Sequence, residues 1–226
     1  VAAALGRVSG SARAAALVVL AACSRERAAA VDAALPAYRV VAVPAAGMLT
    51  GLVTMPAGAP PQDVIVWLDG VRAGKPLPLA RRYEIDHEAN AIVPPVQASM
   101  TGGTLNVRNA DDTRHRARFT LTGAKDSLLG VVEETGAGQV VPAPKLLARA
   151  GLIVITCDDH PATRGWIKVF DQPYYANVDS AGRFVMDSVP PGRWKLHAWN
   201  PKLGERVREV TVDSAGLAFI DLSYPR

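Results

Sequence analysis

From residue 37 onward the chain is a succession of short apolar runs punctuated by Gly, Pro, Asn and Asp. Gly51–Met55, Val64–Leu68, Leu105–Arg108, Arg116–Leu121, Leu152–Thr156 and Trp166–Phe170 are such runs, and several alternate polar with apolar residues. A strand with one buried face requires that alternation, because successive side chains point to opposite sides of a sheet. The runs are rich in β-branched residues and spaced as in sandwiches and barrels. Only residues 142–150 could form a short helical turn, and Pro142 and Pro144 limit it. Gly102-Gly103 is expected to be a hairpin turn. The predicted fold class is all-β.

Near Asp171-Gln172-Pro173 the composition shifts and a second unit is expected to begin. Asp179-Ser180-Ala181-Gly182 precedes the alternating run Arg183–Met186, a pattern for a tight turn in which Gly182 takes positive φ. Pro190-Pro191-Gly192 is a second turn, before a strand with Trp194, Leu196 and Ala198 on one face.

The N-terminal segment has a different character. Arg7 and Arg13 precede the short apolar run Ala14–Leu20, and Leu20-Ala21-Ala22-Cys23 follows. A positive flank, a short apolar segment and small residues before a cut site mark a secretory signal. The run is too short to span a bilayer comfortably. Its ending resembles a bacterial lipobox, which implies cleavage before Cys23 and a lipid on its sulfur; a plain signal peptide with a chance Cys is the alternative. The expected segments are a signal peptide at 1–22 and a lipidated tether at 23–46. Residence is expected in the periplasm, anchored to the cell envelope, with Ser24 weakly favouring the outer membrane.

Charge then narrows the partners. The formal net charge is +4, and setting aside Arg7 and Arg13 leaves 23 basic against 21 acidic residues. A nearly balanced body without basic runs interleaved with aromatics gives no sign of nucleic-acid binding. The two cysteines, Cys23 and Cys157, lie in unlike surroundings and do not suggest a disulfide framework. An unpaired Cys157 in an oxidising compartment needs a reason to be there.

That reason is sought in its neighbours. The run Leu152–Thr156 leads straight into Cys157-Asp158-Asp159-His160-Pro161, and the next strand starts at Trp166. Upstream, Gly103 to His115 reads as a strand, a turn and a histidine opening the next strand. A thiolate and two imidazoles are what a His₂Cys trigonal metal site needs. The other reading of Cys157 is a buried core residue at a strand end. Asp158 and Asp159 are expected to cap the loop or carry surface charge rather than act as an acid–base pair. His87, in Ile85-Asp86-His87-Glu88, is expected to be a solvated loop residue, and His197 to face solvent or the seam between units. Trp166, Trp194 and Trp199 are expected to pack in core or seam. No Ser-His-Asp order, phosphate-cradling loop or His-Glu-x-x-His is present, and no enzymatic activity is expected.

The Gly-x-x-Leu-x-Val-x-Asn-x-Asp-x-x-x-His block and the Cys-x-x-His loop resemble the cupredoxin, or plastocyanin-like, family of type 1 copper proteins. More narrowly, the chain resembles periplasmic proteins of the methylamine-utilisation type, in which such a domain precedes a sandwich similar to carboxypeptidase regulatory-like and transthyretin-like domains. The resemblance covers roughly residues 47–226. It implies a cupredoxin-like Greek-key sandwich at 47–170, followed by a smaller β-sandwich at 171–226. It also implies one copper ion held by His115, Cys157 and His160, with Asn109 bracing the turn. Thr163 stands where the resemblance leads one to expect an axial Met, and Met48, Met55, Met100 and Met186 lie outside the loop. The function implied is extracytoplasmic electron transfer or copper handling with an envelope or redox partner. The alternatives are a copper-free cupredoxin serving as a structural or binding module in an envelope complex, and, on the tryptophans and the fold class, a carbohydrate-binding lipoprotein.

Overall fold

The computed structural model describes residues 37–123 and 125–225, so the signal segment and Cys23 lie outside the described residues. The strands are β1 (Arg39–Val40), β2 (Gly47–Thr54), β3 (Ile65–Asp69), β4 (Ala73–Gly74), β5 (Arg82–Glu88) and β6 (Ala91–Val93). They continue with β7 (Val96–Met100), β8 (Thr104–Asn109), β9 (His115–Leu121), β10 (Ser127–Glu134), β11 (Val140–Ala143) and β12 (Gly151–Cys157). The last are β13 (Arg164–Phe170), β14 (Tyr175–Asn177), β15 (Arg183–Val189), β16 (Gly192–Asn200), β17 (Gly204–Val212) and β18 (Leu217–Ser223). The protein is all-β; the one helical element among the described residues is a single 3-10 turn at Pro61–Asp63. Residues 144–147 form a turn.

Two sandwiches share the chain, and they do not divide at residue 170. One sandwich packs the sheet β10-β9-β12-β13-β7 on the sheet β11-β8-β5-β6. Its core joins Ile85, Ile92, Leu105 and Val107 of the smaller sheet to Phe119, Ile153, Ile155 and Ile167 of the larger. The other sandwich is built from β14-β3-β16-β17 and β15-β2-β18. Thus β2 and β3, expected with the first unit, pair with the C-terminal strands: Gly51 opposes Ile220, and Trp67 opposes His197. The sandwich of β5–β13 is therefore an insertion between β3 and β14, themselves antiparallel neighbours. Gly102-Gly103 does turn, with Gly102 at φ 70°, but β7 and β8 on either side belong to different sheets. It is a corner between layers rather than a hairpin.

The apolar run Val64–Leu68 is explained by burial on both faces. Val64, Val66 and Leu68 enter the terminal core, while Ile65 and Trp67 meet Val96, Ala98 and Phe170 at the seam between sandwiches. Trp166 and Trp199 also pack at this seam, and His197 stacks on Trp67 with ring centroids 4.9 Å apart. Leu196 and Ala198 are buried in the terminal core with Trp194 packed against it. Gly182 takes φ 84° in a turn whose Asp179 carboxylate accepts the amides of Ala181 and Arg183. The expected tether also ends earlier than residue 46. Tyr38 packs against the terminal core, and the amides of Arg39 and Val41 donate to the carbonyls of Arg72 and Gly74.

Candidate metal centre

Period-2 alternation brings the candidate residues to one end of the inserted sandwich. On β12, Ile153, Ile155 and Cys157 face inward; on β9, His115, Ala117 and Phe119 do the same. Cys157 opposes Ala117 across the ladder, so the thiol and the His115 ring share the inner face. From the opposite sheet, β5 turns Ile85 and His87 inward, while β10, next to β9 in its own sheet, adds Val132 and Glu134. His115, Glu134 and His87 are fully buried, and Cys157 is 3% exposed. The loop after β12 folds His160 over them, half-buried.

The three residues expected at the site do meet. Cys157 Sγ lies 3.6 Å from His160 Nδ1 and 3.9 Å from His115 Nδ1. Bonds of about 2.3 Å to sulfur and about 2.0–2.1 Å to nitrogen around one ion separate the two atoms by roughly 3.5–3.8 Å for angles between tetrahedral and trigonal. The observed spacings match that range to about 0.1 Å, and thiol with imidazole is a soft, mixed donor set.

The surroundings fix how His115 presents itself. Its Nε2 donates to Asp111 Oδ2 at 3.1 Å, which leaves Nδ1 bare toward the thiol. Burial, reinforced by the neighbouring His87 ring, pushes the His115 imidazole below its ordinary value, favouring the neutral form a ligand needs. Burial alone would raise the Asp111 carboxyl. The amides of Asn90 and Ala89 and the His115 ring outweigh it and hold the group below the usual carboxylate range. Asn109 braces the turn as expected: its Nδ2 donates to the Thr113 carbonyl at 2.7 Å and its Oδ1 accepts the Asp111 amide at 2.8 Å. Asp158 pairs with Arg118 at 2.8 Å and Asp159 with Arg114 at 3.4 Å, on the surface, so neither carboxylate joins the centre.

His87 is the correction. It is a strand residue in the core, not a solvated loop residue, because it follows Ile85 by two on the inner face of β5. Its Nδ1 is held by Glu134, 2.8 Å and 3.0 Å from the two oxygens, and its ring stacks on that of His115 with centroids 4.2 Å apart and planes 5° apart. Ligand atoms of His87, His115 and Cys157 all lie within 4.8 Å of one another. The Tyr83, Ile85, His87 alternation was the signal for this, masked by the charged residues between them.

No methionine approaches. Met100 opposes Phe170 at the far end of β13 from the Cys157 loop, and Met186 and Met55 belong to the terminal sandwich. Thr163 is buried, and its hydroxyl donates to the Asn90 carbonyl.

No protein-family profile matches this chain, and no curated protein is similar to it. Among solved structures, a reduced proline-to-phenylalanine variant of amicyanin is similar at 19% identity over 39% of this chain and 82% of its own, with a TM-score of 0.34. A reduced Cu(I) form of another amicyanin variant is 18% identical over 42% of this chain and 86% of its own, with a TM-score of 0.32. A purple cupredoxin from Nitrosopumilus maritimus is 15% identical over 39% of this chain and 99% of its own, also at 0.32.

Proposed function

We propose that this protein is a cupredoxin-like copper protein in which His115, Cys157 and His160 hold one ion, and that it serves single-electron transfer or copper handling outside the cytoplasm. The observation that carries the reading is the buried Cys157 Sγ within 3.6–3.9 Å of two imidazole nitrogens. Copper bound there would supply one-electron chemistry between its two oxidation states. The chain's own residues do the rest. Strand ends of β9 and β12 fix two donors on a rigid frame, and the core behind them keeps water from the thiol. Asp111 sets the tautomer of His115, as outer-sphere partners of ligating histidines commonly do. The partially exposed His160 edge is then the route by which an electron or ion reaches a redox or envelope partner. Secretion and a lipid on Cys23 would place the protein at the periplasmic face of a membrane.

The engagement of Thr163 with Asn90 favours a second reading, a copper-free sandwich kept as a structural module of an envelope complex. Loading the purified full chain with Cu(II) separates the two. Retention of one equivalent with a strong thiolate-to-copper band in the visible, lost in Cys157→Ser, is expected. A colourless protein that releases copper on desalting would leave the module reading.

A further inference from the structure

We propose that His87 is a fourth donor at this centre, giving its Nε2 from the opposite sheet to the ion held by Cys157, and that Glu134 is the residue that aims it. The inference rests on the metal-binding reading above and deepens it.

The His87 ring has two nitrogens in unequal circumstances. Nδ1 faces both oxygens of the fully buried Glu134 carboxylate and donates to it, which leaves Nε2 as a bare lone pair. That Nε2 is buried and has no hydrogen-bond partner in the protein. Buried polar atoms are nearly always satisfied, so an orphan calls for a group that would satisfy it. The orphan alone would prove little, since His197 Nε2 is also unpartnered behind a contact to Glu205. His197, however, has only Trp67 against its face, whereas His87 stands beside a thiol and a second imidazole. His87, His115 and Cys157 form a fully buried set whose ligand atoms all lie within 4.8 Å of one another, beside the His115, Cys157 and His160 contacts.

The remaining candidates for that position are otherwise engaged. The Thr163 hydroxyl is tied to Asn90, and Met100 is a strand-length away. The ring geometry also sets the character of the His87 bond. An imidazole lone pair lies in the ring plane, and two face-stacked parallel rings cannot both have one ion in plane. His87 would therefore have to tilt its ring out of this stack to give Nε2 to an ion shared with His115 and Cys157, whose ligand atoms lie within 4.8 Å of its own, and it would be the weakest of the four donors. Such a weak extra ligand is what tunes the potential of a His₂Cys copper site. A nitrogen donor backed by a carboxylate favours the more highly charged ion, so His87 and Glu134 together lower the potential.

The test uses the full chain loaded with Cu(II) alone. Pulsed electron paramagnetic resonance on the wild type should count three coupled imidazoles, and His87→Gln, which preserves polarity and most of the volume, should count two. The potential should rise in His87→Gln and in Glu134→Leu, with copper affinity falling by about 10–100-fold in the latter. Glu134→Gln, whose amide oxygen can still accept from Nδ1, should restore the three-imidazole count. Two imidazoles in the wild type, or an unchanged count and potential in His87→Gln, would overturn the assignment while a surviving thiolate band leaves the three-ligand reading intact. Absence of copper from the wild type would overturn both. If His87→Gln does not fold, Glu134→Gln against Glu134→Leu decides the matter by the same readouts.

Discussion

Replacing Glu134 with leucine removes one member of a pair in which both side chains are fully buried and two N···O contacts of 2.8 Å and 3.0 Å join them. Desolvating the Glu134 carboxylate costs several kcal/mol, so the intact pair is close to neutral relative to an apolar pair of the same volume. The single variant is not neutral, because it strands the His87 Nδ1 donor in a dry core. Glu134→Leu should therefore destabilise the metal-free protein by about 1–3 kcal/mol, lowering Tm by roughly 2–12 °C for a body of this size. The double variant His87→Leu/Glu134→Leu should recover most of the loss, giving a coupling of about 1–3 kcal/mol between the two positions. Urea unfolding of metal-free parent, singles and double, followed by tryptophan fluorescence at constant m, measures each value. The exposed Arg183–Asp179 pair, with side chains 70% and 43% exposed, gives the contrast, since water and salt screen it and its loss should leave the urea midpoint almost unchanged. A Glu134→Leu cost below about 1 kcal/mol would show that the pair is wet, and the reasoning about a dry donor cluster would fail with it.

Two further outcomes follow from burial and close approach. Burial pushes Tyr224 up to about 12 and raises Tyr38 and Tyr175 as well; since an unfolded phenol ionises near pH 10, these groups add stability that is complete below about pH 10 and lost as pH rises through their folded values. A spectrophotometric titration should show these three of the five tyrosines ionising only as near-ultraviolet circular dichroism collapses, and five phenols titrating together near pH 10 in a folded protein would refute it. At Gly51, an added Cβ would lie 2.3 Å from the Ile220 carbonyl oxygen of the neighbouring parallel strand and 2.6 Å from the Phe184 ring, so Gly51→Ala should cost at least about 1–3 kcal/mol in urea unfolding; a neutral result would mean that β2 and β18 are not held in this register.

Much of the architecture was legible because strands announce themselves locally. The runs at Leu105, Arg116, Leu152 and Trp166 are strands within one or two residues of their expected ends, and the loop Cys157–His160 sits where the alternation on β12 directs it. What depends on pairing distant segments was not legible. Nothing near Gly51 or Trp67 says that their partners are β18 and β16, more than a hundred residues on. The insertion of one sandwich into the other therefore could not be read from composition shifts, which mark only its exit near Asp171. His87 and Glu134 were hidden for a related reason. His87 lies on a strand whose outward positions Glu84, Asp86 and Glu88 are charged, and Glu134 follows Glu133 at the end of its strand, so each looks like a solvated residue until the opposite sheet is placed over it.

The two sandwiches treat their buried polar groups differently, and the difference bears on where function lies. In the terminal sandwich Gln172 donates to the Leu68 carbonyl and accepts the Tyr174 amide, while Asn200 donates to the Asp63 carbonyl and accepts the amides of Lys202 and Leu203. These side chains complete the backbone of turns, a structural use that satisfies them. In the inserted sandwich, His87, His115 and Glu134 are fully buried at one end of a core that is otherwise Ile, Val, Leu and Phe, and they contact one another and a thiol more than the backbone. A core selected for stability alone would do as well or better with apolar residues of like volume at those positions. Local departures of this kind concentrate where a fold does chemistry. The terminal sandwich acts instead as a mount, because β3 and β14, paired at Trp67–Tyr175, grip both ends of the insertion. The aromatic seam of Trp67, Phe170 and Trp199 fills the space between the two cores. A donor-bearing sandwich held at two points and packed along its side keeps its His160 end in one fixed direction on that mount.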